Sequence, residues 1–519
     1  MKGGKIMKKT PLFILILAFL VFSLAGVAYS WQGRMAGMGD PYGLIKDESD
    51  FLIHPAGIAK GEGVNFYGHY RFNWREVPDW NHNRTYFTPF GNDLNPIENS
   101  GHEQEHNGLV GAAFPLGPGR MGLFFEYAGK RGDFSGRNNE FFAPTSYFHR
   151  FKFDSDLDSF ALRVLYGLPV GSFKVGGEIQ LAYRLEENKT FINEDSGFQF
   201  YWNSPVGNYF PWINLHQFLF PYDTKYWEGI LKGSLKGAIG PAKIAFTMKG
   251  GLIFWGDNKY KAMTTGTMGS GFVDGSGDVR GWNIGGDFWL RYPLSNDLSI
   301  PFLVKINYQD KTRDASGSGT GSIFGFGVAG IGDYKNKEKN FQIEAGAGLD
   351  KELTKGTRIA AGLYYNYLQN KYSFKGFGLD TGTGDWANVN HSNYPDQTEH
   401  RVVMKIAGEK ELTPMFAMRM GLNFFYGWVK EDFKFNYSEF APFYSYVDNI
   451  SLDGSRWGIG ASLGGTVKFE RFSIEPFVGG GYQKLKLDGD GVDTSYPSTI
   501  ESDKLKKEWF IGGGFSVKF

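Results

Sequence analysis

From Phe416 to Trp428 every second residue is large and apolar: Phe416, Met418, Met420, Leu422, Phe424, Tyr426 and Trp428 alternate with residues such as Ala417, Arg419, Gly421 and Asn423. A period of two places one set on a single face of a β-strand, whereas a helix would scatter it around its circumference. The pattern returns at Trp282, Ile284, Gly286, Phe288 and Leu290, at Ile300, Phe302, Val304, Ile306 and Tyr308, and from Trp457 to Phe469.

Sixteen such runs can be traced, over approximately 63–74, 106–115, 119–130, 155–168, 173–185, 223–239, 242–255, 279–294, 298–311, 338–352, 357–374, 397–411, 415–433, 456–469, 472–485 and 504–519. The connections alternate in length. Tight turns such as Leu116-Gly117-Pro118, Gly240-Pro241, Ser295-Asn296-Asp297 and Leu412-Thr413-Pro414 are each followed by a longer polar segment. Short turns at one rim and long loops at the other are the signature of a spanning antiparallel barrel. The expected fold is therefore all-β: a transmembrane up-and-down β-barrel of about sixteen strands, with fourteen as the alternative count.

Charge decides which face meets lipid. Over the central spans the apolar face carries essentially no charge, while the other face carries Arg71, Glu126, Arg163, Lys174, Glu178, Arg184, Glu228, Lys232, Lys236, Asp287, Arg291, Lys305, Arg358, Lys405, Arg419 and Glu475. A cation facing lipid at the midplane costs roughly 2 to 4 kcal/mol, so only one register is tolerable. Basic side chains outnumber acidic ones inside. That bias favours anions in a water-filled lumen, and the competing expectation is a ladder that neutralises itself. Trp74, Trp227, Tyr308, Tyr367, Trp428, Trp457 and Trp509 fall near strand ends on the apolar face, as aromatic girdles do.

The last run closes on Phe519, after Trp509, Ile511, Gly513, Phe515 and Val517. A terminal Phe on an amphipathic strand resembles the signal by which the outer-membrane assembly machinery selects its clients. A soluble four-bladed propeller would also use sixteen strands, but it would have to bury the charged positions and leaves the terminal Phe unexplained.

Residues 1–30 read as a secretory signal: Lys2, Lys5, Lys8 and Lys9 precede the apolar run Leu12 to Phe22, and Ala25, Gly26, Ala28 and Ser30 follow. The run is shorter than the roughly 20 residues of a membrane-spanning helix. The chain has no cysteine, which excludes a lipid-modified N-terminal Cys, disulfides and a thiolate metal site. Lys plus Arg and Asp plus Glu each total 55, so no basic field favours nucleic acid as a partner.

Catalytic and metal motifs are weak. His102-Glu103-Gln104-Glu105-His106 has the zinc-protease spacing, which works only on a helix. Here Gly101 and Asn107-Gly108 flank it, and the segment reads as a loop entering a strand. Asp488 to Asp493 reads as a polar turn lacking the distal glutamate of a calcium loop. The two GxGxxG matches, at Gly117 and Gly325, do not sit between a strand and a helix. No catalytic, cofactor or metal residue is assigned, and an enzyme is not expected.

The longest connection, Glu186 to Tyr222, is apolar over Phe198 to Phe220, with Trp202, Tyr209, Phe210, Trp212, Phe218 and Phe220. Such a loop can constrict the lumen, receive a hydrophobic molecule, or pack on the rim.

Before the first strand stand Gly33-Arg34-Met35-Ala36-Gly37-Met38-Gly39-Asp40, the acidic stretch Asp47 to Asp50, and Ile53-His54-Pro55-Ala56-Gly57-Ile58-Ala59. This head resembles that of the long-chain fatty-acid and aromatic-hydrocarbon outer-membrane transporters, which carry an asparagine, proline, alanine, glycine run where this chain has His54, Pro55, Ala56 and Gly57. In that family the head forms a hatch plugging the barrel from the periplasmic side. The resemblance implies a hatch in residues 31–62, which with the signal peptide (1–30) and the barrel (63–519) read from the residues gives a three-part chain expected in the outer membrane of a Gram-negative-type bacterium after signal cleavage.

The resulting expectation is passive uptake of small hydrophobic or amphipathic molecules past the hatch. Its partners would be the outer-membrane lipid bilayer, the assembly machinery during biogenesis and a small-molecule substrate. The lumen would be lined by Arg71, Arg163, Lys174, Arg184, Lys232, Lys236, Arg291, Lys305, Arg358, Lys405 and Arg419. The alternatives are an open diffusion porin with anion preference and a non-transporting structural or adhesion barrel.

Overall fold

The structure, a computed structural model, describes residues 32–41, 44–45, 48–88, 91–142, 145–192, 198–200, 215–266, 269–323, 326–379, 386–391, 396–438, 445–469, 472–493 and 498–519. The segment read as a signal peptide lies outside them. No described helix is long and apolar enough to cross a membrane.

The strands are β1 (Asn65–Thr88), β2 (Gly91–Leu116), β3 (Gly119–Phe142), β4 (Thr145–Val170), β5 (Phe173–Ile192), β6 (Phe198–Phe200), β7 (Leu215–Ile239), β8 (Ala242–Gly266) and β9 (Gly269–Pro293). They continue with β10 (Leu298–Ile323), β11 (Phe326–Thr354), β12 (Thr357–Leu379), β13 (Trp386–His391), β14 (Asp396–Thr413), β15 (Phe416–Ser438), β16 (Ser445–Lys468), β17 (Ser473–Asp493) and β18 (Ser498–Lys518). Each long strand pairs antiparallel with its sequence neighbours, and β1 pairs with both β2 and β18, which closes the sheet. Phe66 and Phe519 seal the seam by exchanging two backbone hydrogen bonds of 3.0 Å. Two short strands extend the wall: β6 pairs with β4, and β13 lies between β12 and β15 above β14. The wall is thus a closed ring of sixteen strands.

The predicted register holds. On β15, Met420 is 57% exposed on the outside while Arg419 is 4% exposed within. Outward apolar side chains such as Leu162, Ile179, Leu231, Leu252, Leu363 and Leu463 continue that belt around the ring. Without lipid a surface of this size would be a severe liability, so the wall is a transmembrane one. At the short-turn rim the chain reverses through Gly117, Gly171 and Gly240, with φ of +57°, +58° and +56°. An L side chain is disfavoured in that region.

The strands are longer than the alternation indicated. β11 has 29 residues, although about 9 to 11 tilted residues cross a bilayer. The surplus lies on the long-loop side, where the outer face turns polar. Three expectations are corrected by this extension. His102 to His106 lies within β2, not in a loop. Asp488 to Asp493 ends β17 and is not a turn. The connection expected over Glu186 to Tyr222 is shortened at both ends, so Phe218 and Phe220 belong to β7. In each case a ladder of backbone bonds continues beyond the membrane, where outward residues need no longer be apolar.

Candidate functional site

Before β1 lie a short helix, α1 (Gln32–Gly37), and two 3-10 turns at Glu48–Leu52 and Pro55–Lys60. These elements lie inside the barrel near its short-turn rim. The helix packs against β15 to β18 and the Pro55 turn against β3, β4, β5 and β7.

Two apolar clusters seat the segment. Phe51, Leu52 and Ile58 are buried with Tyr67, Leu109, Ala113, Phe124 and Leu165, and the Phe51 ring centroid lies 5.5 Å from both Tyr67 and Phe124. On the other side Met35, Met38, Leu44 and Ile45 are buried with Leu303, Ala360, Tyr364, Val403 and Ala407. Inward glycines make the room. A Cβ added at Gly421 would fall on the backbone of Met38, and one at Gly176 on the backbone of Ala56.

The wall then grips the segment's backbone through its cations. Arg163 donates to the Leu52 carbonyl at 2.6 Å and Lys232 to the same oxygen at 3.3 Å. Arg291 donates to the Leu44 carbonyl at 2.6 Å, Arg120 to that of Gly63 at 2.7 Å, and Lys405 to that of Asp40 at 3.5 Å. Asn423 reaches the Gly39 carbonyl at 3.1 Å and Arg71 the Asp40 carboxylate at 2.8 Å. In return, the Arg34 side chain pairs with Glu409 at 2.7 Å and its backbone N–H donates to Glu475 at 3.0 Å. A carbonyl buried without a donor costs about 1 to 3 kcal/mol, and Arg163 and Arg291 remove that cost at the buried Leu52 and Leu44.

His54, where the resembling family has asparagine, is 2% exposed and shares a 2.7 Å hydrogen bond with Thr247 through Nδ1. Burial, with Lys236, Lys305 and Lys232 nearby, lowers its pKa from 6.5 to about 3, so the ring is neutral at ordinary pH. The Ala56 N–H donates to Ser234 at 2.6 Å. Pro55, buried, begins the turn, and Gly57 lies against Phe51.

The eleven basic residues expected in the lumen lie on the strand face opposite the apolar belt, and carboxylates or the segment itself engage most of them. Arg163 and Lys232 also pair with Glu178, Arg184 with Glu228, Arg419 with Glu409, and Lys305 and Lys405 approach Glu344. Arg291 and Arg358 share Asp350. Lys236 faces Asp50, and Lys174 sits opposite Lys236 in register. The self-neutralising ladder describes most of this face, and the residual excess, Lys174 with Lys60 and Lys236, lies at the short-turn rim.

Above the segment the lumen narrows at two places. Glu186 on β5 receives Lys311 at 2.6 Å and also Arg313, both on β10. Lys504 on β18 reaches Glu431 on β15 at 2.6 Å, over inward-facing Val429, Ile450, Leu452, Leu485 and Leu487. From β5 to β10 is four steps of about 4.8 Å, roughly 19 Å along the wall, so the wall curls here. The two curls centre on β8 and on the β16–β17 pair, on opposite sides of the ring. The cross-section is therefore oval with filled ends. Between them, along β1 to β3, the inward side chains of Arg75 and Lys130 keep 40% and 42% of their surface.

Neither the carbonyl grips nor the curled ends were legible from residue types. The accessible hint was the set of inward glycines, Gly176, Gly348, Gly362 and Gly421, which marks where something packs on the wall. Trp202, Tyr209, Phe210 and Trp212 lie outside the described residues, and the backbones of Phe218 and Phe220 pair with Ile192 and Thr190.

A closed antiparallel ring with an apolar exterior and a folded segment lodged in its bore is a transmembrane β-barrel that holds its own N-terminal segment inside. Among solved structures the chain is similar to a Pseudomonas aeruginosa FadL homologue, at 10% identity and a TM-score of 0.42, over 96% of this chain and 99% of that one. It is also similar to the Pseudomonas putida toluene transporter TodX (10%, 0.37, 94% and 98%) and to the Ralstonia pickettii toluene transporter TbuX (12%, 0.36, 94% and 99%). No family model and no curated protein matches the chain.

Proposed function

We propose that the protein is an outer-membrane channel for passive uptake of small hydrophobic or amphipathic molecules, closed at rest by residues 31–62. The observation that carries this reading is the set of wall cations bound to the segment's own carbonyls. They spend the inward charge on seating a plug, leaving little of it for permeant ions. The inward apolar group of Val429, Ile450, Leu452, Leu485 and Leu487 supports an apolar or amphipathic cargo over a strongly hydrophilic one.

Two observations favour the alternatives. Charged side chains along β1 to β3 suit a narrow polar pore, and the filled ends of the oval suit a barrel that transports nothing. Uptake into vesicles carrying the intact protein separates the three. Entry of a hydrocarbon or an alkanoate without entry of a sugar is expected. Sugar entry at an equal rate contradicts the reading in favour of a porin, and no entry at all contradicts it in favour of a scaffold.

A further inference from the structure

The rim above the girdle is not uniform in charge. On the lipid-facing side of β11 and β12 the girdle is marked by Phe341 and Tyr367, with ring centroids 6.0 Å apart. Lys339, Lys337 and Lys335 follow on the same face of β11, and Lys371 on that of β12. At about 3.3 Å per residue, Lys339 stands roughly 7 Å and Lys335 roughly 20 Å above Phe341 along the strand.

Lys339 and Lys371 face each other across the ladder, an arrangement that destabilises a sheet unless something screens it. On β10 two aspartates face this row directly, Asp310 opposite Lys339 and Asp314 opposite Lys335. Lys337 and Lys339 both approach the single carboxylate of Asp310, each at 3.6 Å. Lys335 and Lys371 are exposed and, among the described residues, make no ion pair. The neighbouring Asp314 accepts the backbone N–H of Asp278 at 3.3 Å, and Asp396 that of Tyr372 at 2.9 Å. On the far flank acids predominate on the outward face, although Arg131 lies 3.8 Å from Asp156 and Lys225 3.0 Å from Asp223. Asp133 faces Asp154, and Asp156 faces Glu187, which in turn faces Asp223.

We infer that Lys335, Lys337, Lys339 and Lys371 form a docking site for the phosphate groups of a phosphorylated outer-leaflet lipid, whose chains lie on the apolar wall below. The inference rests on the outer-membrane reading. The lysines sit where the girdle gives way to headgroups, and a phosphate monoester adds opposite charge where four lysines meet the two aspartates of β10. A lipid, not a free anion, is the occupant because the site is continuous with the apolar belt.

The test is native mass spectrometry of the full-length barrel in detergent with a bisphosphorylated saccharide lipid, its dephosphorylated form and inorganic phosphate. Because lysines near an anionic surface each add attraction, the variant K335Q/K337Q/K339Q/K371Q should bind the phosphorylated lipid at least about tenfold more weakly. Binding of the dephosphorylated lipid should be weak and unaffected by the substitutions, and inorganic phosphate should not compete at equal concentration. The D133N/D154N variant should bind as the wild type does, which controls for rim charge in general. Equal binding by the lysine variant overturns the site, and so does equal retention of the dephosphorylated lipid or full competition by phosphate. Failure of the wild type to insert into bilayers overturns the membrane reading itself, a result separate from these.

Discussion

The guanidinium of Arg163, on β4, donates 2.6 Å to the backbone carbonyl of Leu52 while its other edge holds Glu178 on β5 at 2.9 Å. One wall cation thus fixes both the register of two strands and the position of the segment within them. Arg163→Ala should release the segment and leave Glu178 to Lys232 alone. Removing one partner of a buried pair costs about 3 to 5 kcal/mol. The expected result is frequent channel opening in single-channel records and a lower urea midpoint, both absent from Arg75→Ala, whose side chain is 40% exposed.

Gly421 leaves no room for a side chain beneath Met38. Gly421→Val should therefore dislodge the helical part of the segment while the barrel still closes. Limited trypsin digestion should then cut after Arg34, which pairs with Glu409 inside the intact protein. Resistance equal to that of the wild type would show that the helix does not depend on this contact.

His54 gives the seating of the segment a pH dependence. Its folded pKa is about 3 against an ordinary 6.5, so between these values the released or unfolded state binds more protons and stability rises with pH. The seated segment should weaken as pH falls from about 6.5 towards 3, with no contribution from this group above that window. His54→Gln should remove this part of the slope, read as trypsin susceptibility after Arg34 across the same range.

The lipid face can be tested at Leu422, which is 47% exposed and midway between Phe416 and Trp428. Leu422→Arg should cost roughly 2 to 4 kcal/mol in bilayers, measured by reversible unfolding. A change within experimental error would place this face elsewhere than in lipid.

The sequence showed the sixteen strands and their sidedness because lipid on one face enforces strict alternation, as between Met418 and Trp428. It did not show their length. Past the girdle, residues such as Lys337 and Lys339 replace the apolar set, so the signal stops while the ladder continues. The head segment was legible as something to be seated, through His54 to Gly57, but its contacts were not. A carbonyl such as Leu52's has no residue type by which to be recognised, and the partner that finds it lies 111 positions away. The inward cations were therefore visible as charges and invisible as anchors.

The most direct test of the account is single-channel conductance of the refolded protein in a planar bilayer, intact and lacking residues 31–62. Near silence from the intact protein and large steady steps from the shortened one are predicted. Large steady steps from the intact protein would contradict the claim that the segment closes the bore.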